Sequence, residues 1–179
     1  MDRFVIISGC SGGGKSTLLS ELTRRGYNVV EEPGRRIVVE EHEGAGIALP
    51  WVNLAAFAQR AIAMSLNDRI AAAETQGLVF FDRGLVDAAV ALEHATGAPV
   101  LASYASERYN RLVFLAPPWP EIYDNDADRR HKFQDAVAEY ERLVDAFKLL
   151  EYKVDILPKV NVADRADIVL ERVAAARSL

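Results

Sequence analysis

The residues Gly9-Cys10-Ser11-Gly12-Gly13-Gly14-Lys15-Ser16 place four glycines, a lysine and a hydroxyl within eight positions. A polyphosphate is a dense anion, and a run of backbone N–H groups can wrap it. Glycines allow the close approach and the positive φ that such wrapping needs. If a helix follows, its free N–H groups and positive dipole end face the same anion. The spacing fits G-x-x-x-x-G-K-[ST], the phosphate-binding loop. Lys15 then reaches the β- and γ-phosphates and Ser16 ligates magnesium. Gly9, Cys10, Ser11, Gly12, Gly13, Gly14, Lys15, Ser16 and Thr17 are therefore the expected contacts for ATP or another nucleoside triphosphate. Cys10 is read as a small loop residue.

Three further groups could act beside such a loop. Asp82 and Arg83 follow the apolar run Leu78 to Phe81. An acid in that position can hold a magnesium-bound water, and an arginine fork can bind a phosphate or an acceptor oxygen. Glu31 and Glu32 follow Tyr27 to Val30 and precede Pro33, Gly34, Arg35 and Arg36. Glu32 can accept a proton from an acceptor hydroxyl or help hold metal or substrate. Whether Glu32 or Asp82 is the base stays open. Arg35 and Arg36 could meet an anionic acceptor, with at least one expected in solvent. The polar run Asp128-Arg129-Arg130-His131-Lys132 follows three prolines and opens a helix. Arg129 there could neutralise transferring charge from a lid. Gln59 could read a base edge but is expected to be exposed or satisfied. None of the three histidines has ligand spacing.

The elements that must position these groups alternate between short apolar runs and longer helical patterns, which implies an α/β fold with a mostly parallel sheet. Strands are expected at Phe4 to Ser8, Tyr27 to Glu31, Leu78 to Phe81, Leu112 to Leu115 and Val154 to Leu157. Helices are expected at Lys15 to Arg25, Trp51 to Gln76, Leu85 to His94, Phe133 to Leu150 and Arg165 to Ala176. Pro33 to Pro50 reads as partly helical, with a loop at Gly44 and Gly46. In open sheets of this kind ligands bind outside the carboxyl ends of the strands. The phosphate loop, Glu32, Asp82 and Arg83 all fall at such ends.

Composition agrees. The 179 residues are 50 % hydrophobic and 26 % charged, with a formal net charge of −5. That suits a single cytoplasmic domain over residues 1–179 and argues against non-specific nucleic-acid binding. No apolar run reaches the roughly 20 residues that span a bilayer. One cysteine excludes an internal disulfide, and no zinc-type cluster is present. Monomer and homodimer are both open.

The phosphate loop, Glu32-Pro33, the helix carrying Gln59, and Asp82-Arg83 resemble the nucleoside and nucleotide kinase branch of P-loop proteins. Glu31-Glu32-Pro33-Gly34 and Asp82-Arg83-Gly84 match neither the deoxynucleoside kinase motifs nor the thymidylate kinase motifs completely. Leu115-Ala116-Pro117-Pro118-Trp119, followed by Asp124, Arg129, Arg130 and Phe133, resembles small AAA-like ATP-binding proteins related to the ribosylnicotinamide kinase domain of bacterial NAD regulators. The resemblance implies a three-layer P-loop NTPase fold with strand order 2-3-1-4-5 and a lid near residues 117–133. It also implies Glu32 as base and Arg83 as a substrate-phosphate or transition-state arginine. The implied function is transfer of the γ-phosphoryl group of ATP, with Mg2+, to a nucleoside, nucleotide or related small acceptor. Lys15, Glu32, Asp82, Arg83 and Arg129 would be catalytic, and Ser16 and Asp82 metal-binding. The alternatives are an ATP hydrolase or a nucleotide-dependent switch acting on a protein partner. A GTPase is disfavoured because no N-K-x-D run occurs.

Overall fold

A computed structural model describes residues 3–120 and 133–177. Arg129 and most of the expected lid lie outside the described residues. Five strands, β1 (Phe4–Gly9), β2 (Asn28–Val30), β3 (Val79–Asp82), β4 (Leu112–Ala116) and β5 (Lys153–Ile156), form one sheet in the order β2-β3-β1-β4-β5. Every pairing is parallel. The three central strands are buried along their length and the two edge strands are not. This is why FVIISG, VFFD and LVFLA read as nearly unbroken apolar runs, whereas NVV and KVDI include polar residues.

Six helices cover the sheet: α1 (Lys15–Arg24), α2 (Pro33–Glu43), α3 (Leu54–Ala73), α4 (Leu85–Thr96), α5 (Phe133–Leu149) and α6 (Val162–Arg177). Alternate residues of β1 serve the two faces, as strand geometry requires. Phe4 and Ile6 join Ile37, Ala58, Ile62, Phe81, Leu85, Leu143 and Phe147 in the core under α2 to α5. Val5 and Ile7 join Leu18, Leu22, Phe80, Phe114, Val169 and Val173 in the core under α1 and α6. Phe4 and Tyr109 both pack on Phe81, with ring centroids 5.2 and 5.3 Å away.

Element boundaries follow local chemistry. α3 begins at Leu54 rather than Trp51, because the Asn53 side chain caps it by accepting the Ala56 N–H at 3.0 Å. α6 begins at Val162, three residues before the expected start. Asn161 accepts the Asp164 N–H at 2.9 Å and donates to its carboxylate at 2.6 Å. The stretch after Pro33 is partly helical as expected, a helix over Pro33–Glu43 with proline in its first turn that ends at Gly44 and passes into a loop. A short 3-10 turn at Leu101–Tyr104 was not expected. No helix among the described residues is long and apolar enough to cross a membrane.

Register brings the candidate residues together. Ile7 pairs with Asp82, Val30 with Phe81, and Gly9 with Ala116. The phosphate loop, Glu32 and the Asp82-Arg83 pair therefore leave the sheet at one edge. α3, α4 and α5 all start at that edge and run away from it, since α3 leads into the start of β3, α4 leaves its end, and α5 leads into the start of β5.

Candidate active site

The phosphate loop is held against β4. Cys10 N–H donates to Ala116 O at 2.8 Å. Gly9 has φ 110°, and a Cβ built there would lie 2.3 Å from Ala116 O, so both the backbone angle and the space demand glycine. Gly14, at φ 70°, is the N-cap of α1 and offers no side chain to its free N–H groups. Those donors stay available for an anion. Lys15 is buried and donates from Nζ to Cys10 O at 2.9 Å. Burial, and then the neighbouring Arg83 charge, lower its pKa below the usual lysine value, partly opposed by Asp82 and Glu32. Ser16 and Thr17 are exposed in the first turn of α1.

Asp82 is 6 % exposed, and its Oδ1 has no hydrogen-bond partner. Burial and the Glu32 carboxylate push its pKa up to about 6, against the attraction of Lys15 and Arg83. A buried, unsatisfied carboxylate oxygen fits a hard divalent cation, which would supply the missing positive charge. Its expected companion is the Ser16 hydroxyl. Among the described residues no cluster of three acidic, histidine or cysteine side chains could hold a metal alone.

Arg83 is the centre of the site. It is a non-glycine residue at φ 61°, a conformation that costs on the order of 1–3 kcal/mol and persists only when surroundings enforce it. Here the backbone N–H donates to Ile7 O at 3.0 Å. The guanidinium reaches three carboxylates: Nη1 donates to Glu139 Oε1 at 2.7 Å and approaches Asp87 Oδ1 at 3.5 Å, and Nε lies 3.2 Å from Glu32 Oε1. The Nε contact is an ion pair but not an aligned hydrogen bond. Burial opposes the charge, yet Glu139, Glu32 and Asp87 outweigh it and hold the guanidinium protonated well above its usual range.

Asp87, one helical turn into α4, is buried and braces this arrangement. One carboxylate oxygen accepts from the Ser8 hydroxyl, and the other accepts the Gly84 N–H at 3.0 Å. Its pKa is raised by burial, with Arg83 pulling the other way. Gly84 is extended, and a Cβ there would meet Tyr109 Oη at 2.9 Å. Glu32 is the N-cap residue of α2 and also pairs with Arg35 at 3.1 Å. Arg36 turns the other way and pairs with Asp68 of α3.

Beside these groups opens a cavity of about 470 Å3, within the range of small-molecule sites. Ser11, Glu32 and Arg83 line its mouth, Leu54, Phe57, Ala58 and Ala61 one wall, and residues of α4 and α5 the others. Lys15 and Asp82 do not line it. At the far side of the loop, Arg165 of α6 stacks over Trp119 with 4.7 Å to the ring centroid, its Nη1 3.5 Å from Gly14 O.

The structure thus assembles Lys15, Glu32, Asp82 and Arg83 around the loop. Gln59 is exposed and does not line the cavity. Sequence reasoning missed Asp87, Glu139 and Arg165. Asp87 had one available signal, an acid at the N3 position of a helix that lacks a side-chain cap. Glu139 lies within an ordinary amphipathic helix and gave none.

A family model for an AAA domain matches residues 4–165. A comparison with curated proteins finds no significant match. Among solved structures, NadR in complex with NR aligns with TM-score 0.76 and 18 % identity, covering 99 % of this chain and 52 % of that one, so this chain spans about half of NadR. Deoxyadenosine kinase from M. mycoides with bound dATP aligns with TM-score 0.66 and 13 % identity over 96 % and 99 % of the two chains. Shikimate kinase from Acinetobacter baumannii in complex with shikimate aligns with TM-score 0.61 and 14 % identity over 97 % and 93 %. The likeness establishes a P-loop nucleotide kinase-like fold.

Proposed function

The chain belongs to the AAA domain family, and on that premise we propose that it is a small-molecule kinase moving the γ-phosphoryl group of ATP to a hydroxyl-bearing acceptor. One observation carries the reading: a ligand-sized cavity with a largely apolar α3 wall opens beside the phosphate loop and is lined by Ser11, Glu32 and Arg83. A hydrolase or a nucleotide switch needs no ligand-sized chamber between α3, α4 and α5. The fold likeness to kinases of nucleosides and of shikimate supports the same class.

The roles follow from position. Gly9 to Thr17 bind the triphosphate, and Lys15 exchanges Cys10 O for phosphate oxygens. Ser16 and Asp82 hold Mg2+, which would neutralise phosphate charge. Glu32 lines the cavity and Asp82 does not, so Glu32 is the proton acceptor for the attacking hydroxyl. Arg83 stands between donor and acceptor sites as a fixed cation facing developing charge. Arg129 is proposed as the lid arginine that completes neutralisation.

The test is ADP release from ATP and Mg2+ in the presence of nucleosides, nucleoside monophosphates, nicotinamide riboside and shikimate. Product is identified by mass spectrometry. Stimulation by one acceptor with a phosphorylated product is expected. Basal hydrolysis unchanged by every acceptor would overturn the kinase reading in favour of a hydrolase. Binding of ATP without turnover would favour a switch.

A further inference from the structure

Arg165 lies in the first turn of α6 and is 8 % exposed. Its guanidinium carries five N–H donors and a permanent charge. Trp119 lies beneath it, with 4.7 Å from the guanidinium carbon to the ring centroid. Nη2 donates to Val160 O at 3.0 Å, Nη1 only approaches Gly14 O at 3.5 Å, and Nε has no hydrogen-bond partner. Among the described residues no carboxylate comes within ion-pair distance, and burial alone acts on its pKa, lowering it. The nearest acids along α6 are turned to other partners, Asp164 to Asn161 and Asp167 to Arg25.

Elsewhere in this fold a buried arginine is compensated. Arg69 is 4 % exposed and pairs with Glu107 at 3.1 Å. Arg83 is held among Glu32, Asp87 and Glu139. A buried charge without a counter-charge is unfavourable, since it has given up water and gained no partner. Arg165 therefore points to an anion that the protein itself does not supply.

Its position says which anion. A Cβ built on Gly14 would lie 2.8 Å from Arg165 Nη1 and 3.8 Å from Trp119 Cζ3. The guanidinium and the ring thus fill the space left by the missing side chain at the N-cap of α1. Lys15, Ser16 and Thr17, whose N–H groups open that helix, follow directly. Arg165 adds to the positive end of α1 from outside the loop, whereas Lys15, bonded to Cys10 O, acts from within it. A unit charge about 10 Å from a unit anion, two turns of helix, is worth roughly tenfold in affinity at the effective dielectric of a protein surface. Each further phosphate charge adds to that attraction.

We propose that Arg165 is a second cation of the triphosphate site: it acts across Gly14, and the phosphates on the loop are the counter-charge that the empty protein lacks. Trp119 is the ring that holds it against the loop. The inference rests on the phosphate-loop part of the kinase reading and not on the transfer step, so the two can fail separately. It also gives Gly14 a second reason to be glycine, because a side chain there would displace the guanidinium.

The test is calorimetry on the full chain with Mg2+, using AMP-PNP, ADP and inorganic tripolyphosphate as probes. Wild type is compared with Arg165→Gln and Arg165→Met, which remove the charge with and without keeping a donor. Both variants should bind AMP-PNP and tripolyphosphate about tenfold more weakly, and ADP by a smaller factor. Without ligand they should melt no lower than wild type, because each removes an unpaired buried charge, and AMP-PNP should raise their Tm by less. Weaker AMP-PNP binding with unchanged tripolyphosphate binding would make Arg165 a base contact and overturn the inference. Equal losses for ADP and AMP-PNP, a loss confined to Arg165→Met, or unchanged affinity for every probe would overturn it as well. So would variants that melt below wild type or fail to fold, since the inference makes the charge a cost to the empty protein. A wild type that binds no probe would overturn it together with the phosphate-loop assignment. Binding as expected with no phosphorylated product from any acceptor would instead refute the kinase reading alone.

Discussion

Asp82→Asn should make the nucleotide-free protein more stable while removing its activity. Asp82 is buried with one unpartnered oxygen, and its pKa is raised from 3.8 to about 6 by burial and by Glu32. The sign follows from proton uptake. Between these two values the folded state holds the proton and the unfolded state does not. Wild-type stability gained from this group is therefore full below about 3.8 and lost as pH rises through about 6. A difference of this size corresponds to about 3 kcal/mol. Part of it belongs to the repulsion shared with Glu32, so the single substitution should return about 2–3 kcal/mol at pH 8. For a chain of 179 residues that is a rise of about 4–10 °C in Tm. The assay is thermal and urea unfolding of both proteins in chelator, without nucleotide, from pH 4 to pH 8. The gap between variant and wild type should roughly halve by pH 5 and close near pH 4. A variant less stable than wild type at pH 8, or a gap that does not change with pH, would refute the reasoning. Magnesium and nucleotide should stabilise the wild type selectively, because the carboxylate that destabilises the empty site is the one proposed to hold the metal.

Two other substitutions test the division of labour around the loop. Lys15→Ala should lower triphosphate affinity by about 100-fold or more, the loss of a charge-assisted contact in a buried setting, read by calorimetry with a non-hydrolysable analogue; retained affinity would remove the phosphate-loop assignment. Arg83→Ala should leave that affinity within a few-fold but reduce transfer to acceptor by about 100-fold or more, measured as phosphorylated product. Undiminished transfer would show that Arg83 is only a structural hub for Glu32, Asp87 and Glu139.

Much of the site was legible because phosphate chemistry is written locally. A loop, its lysine and its hydroxyl must be contiguous, so Gly9 to Thr17 can be read from one stretch of chain. The central strands were equally plain, since burial on both faces leaves Val79 to Phe81 and Leu112 to Ala116 without a polar side chain. Asp82 and Arg83 were found by rule, as the residues that follow a buried strand. What escaped was whatever depends on the rotation of one helix against another. Glu139, Ser65 and Arg142 lie in regular helical patterns, where one face of three could point to the cavity and the pattern does not say which. Gln59 stands among apolar neighbours in sequence and faces outward, as expected. Asp87 was hidden differently, because its partner Ser8 meets it only once β1 and β3 pair.

The two faces of the sheet carry different burdens. The α1 and α6 side is packed by Val5, Ile7, Leu18, Leu22, Phe80, Phe114, Val169 and Val173, all fully buried, and it anchors the helix that opens at the phosphate loop. Changes there disturb the packing beneath the loop. The cavity beside Glu32 and Arg83 lies on the other side, between α3, α4 and α5, with Ala58, Ala61, Ala88 and Ala91 in its lining. The side chains of its α3 wall, such as Leu54, Ala58 and Ala61, do not belong to the core beneath the loop. Under the proposed kinase reading, substitutions confined to that helix wall would alter which acceptor is taken and leave the phosphate-binding loop intact.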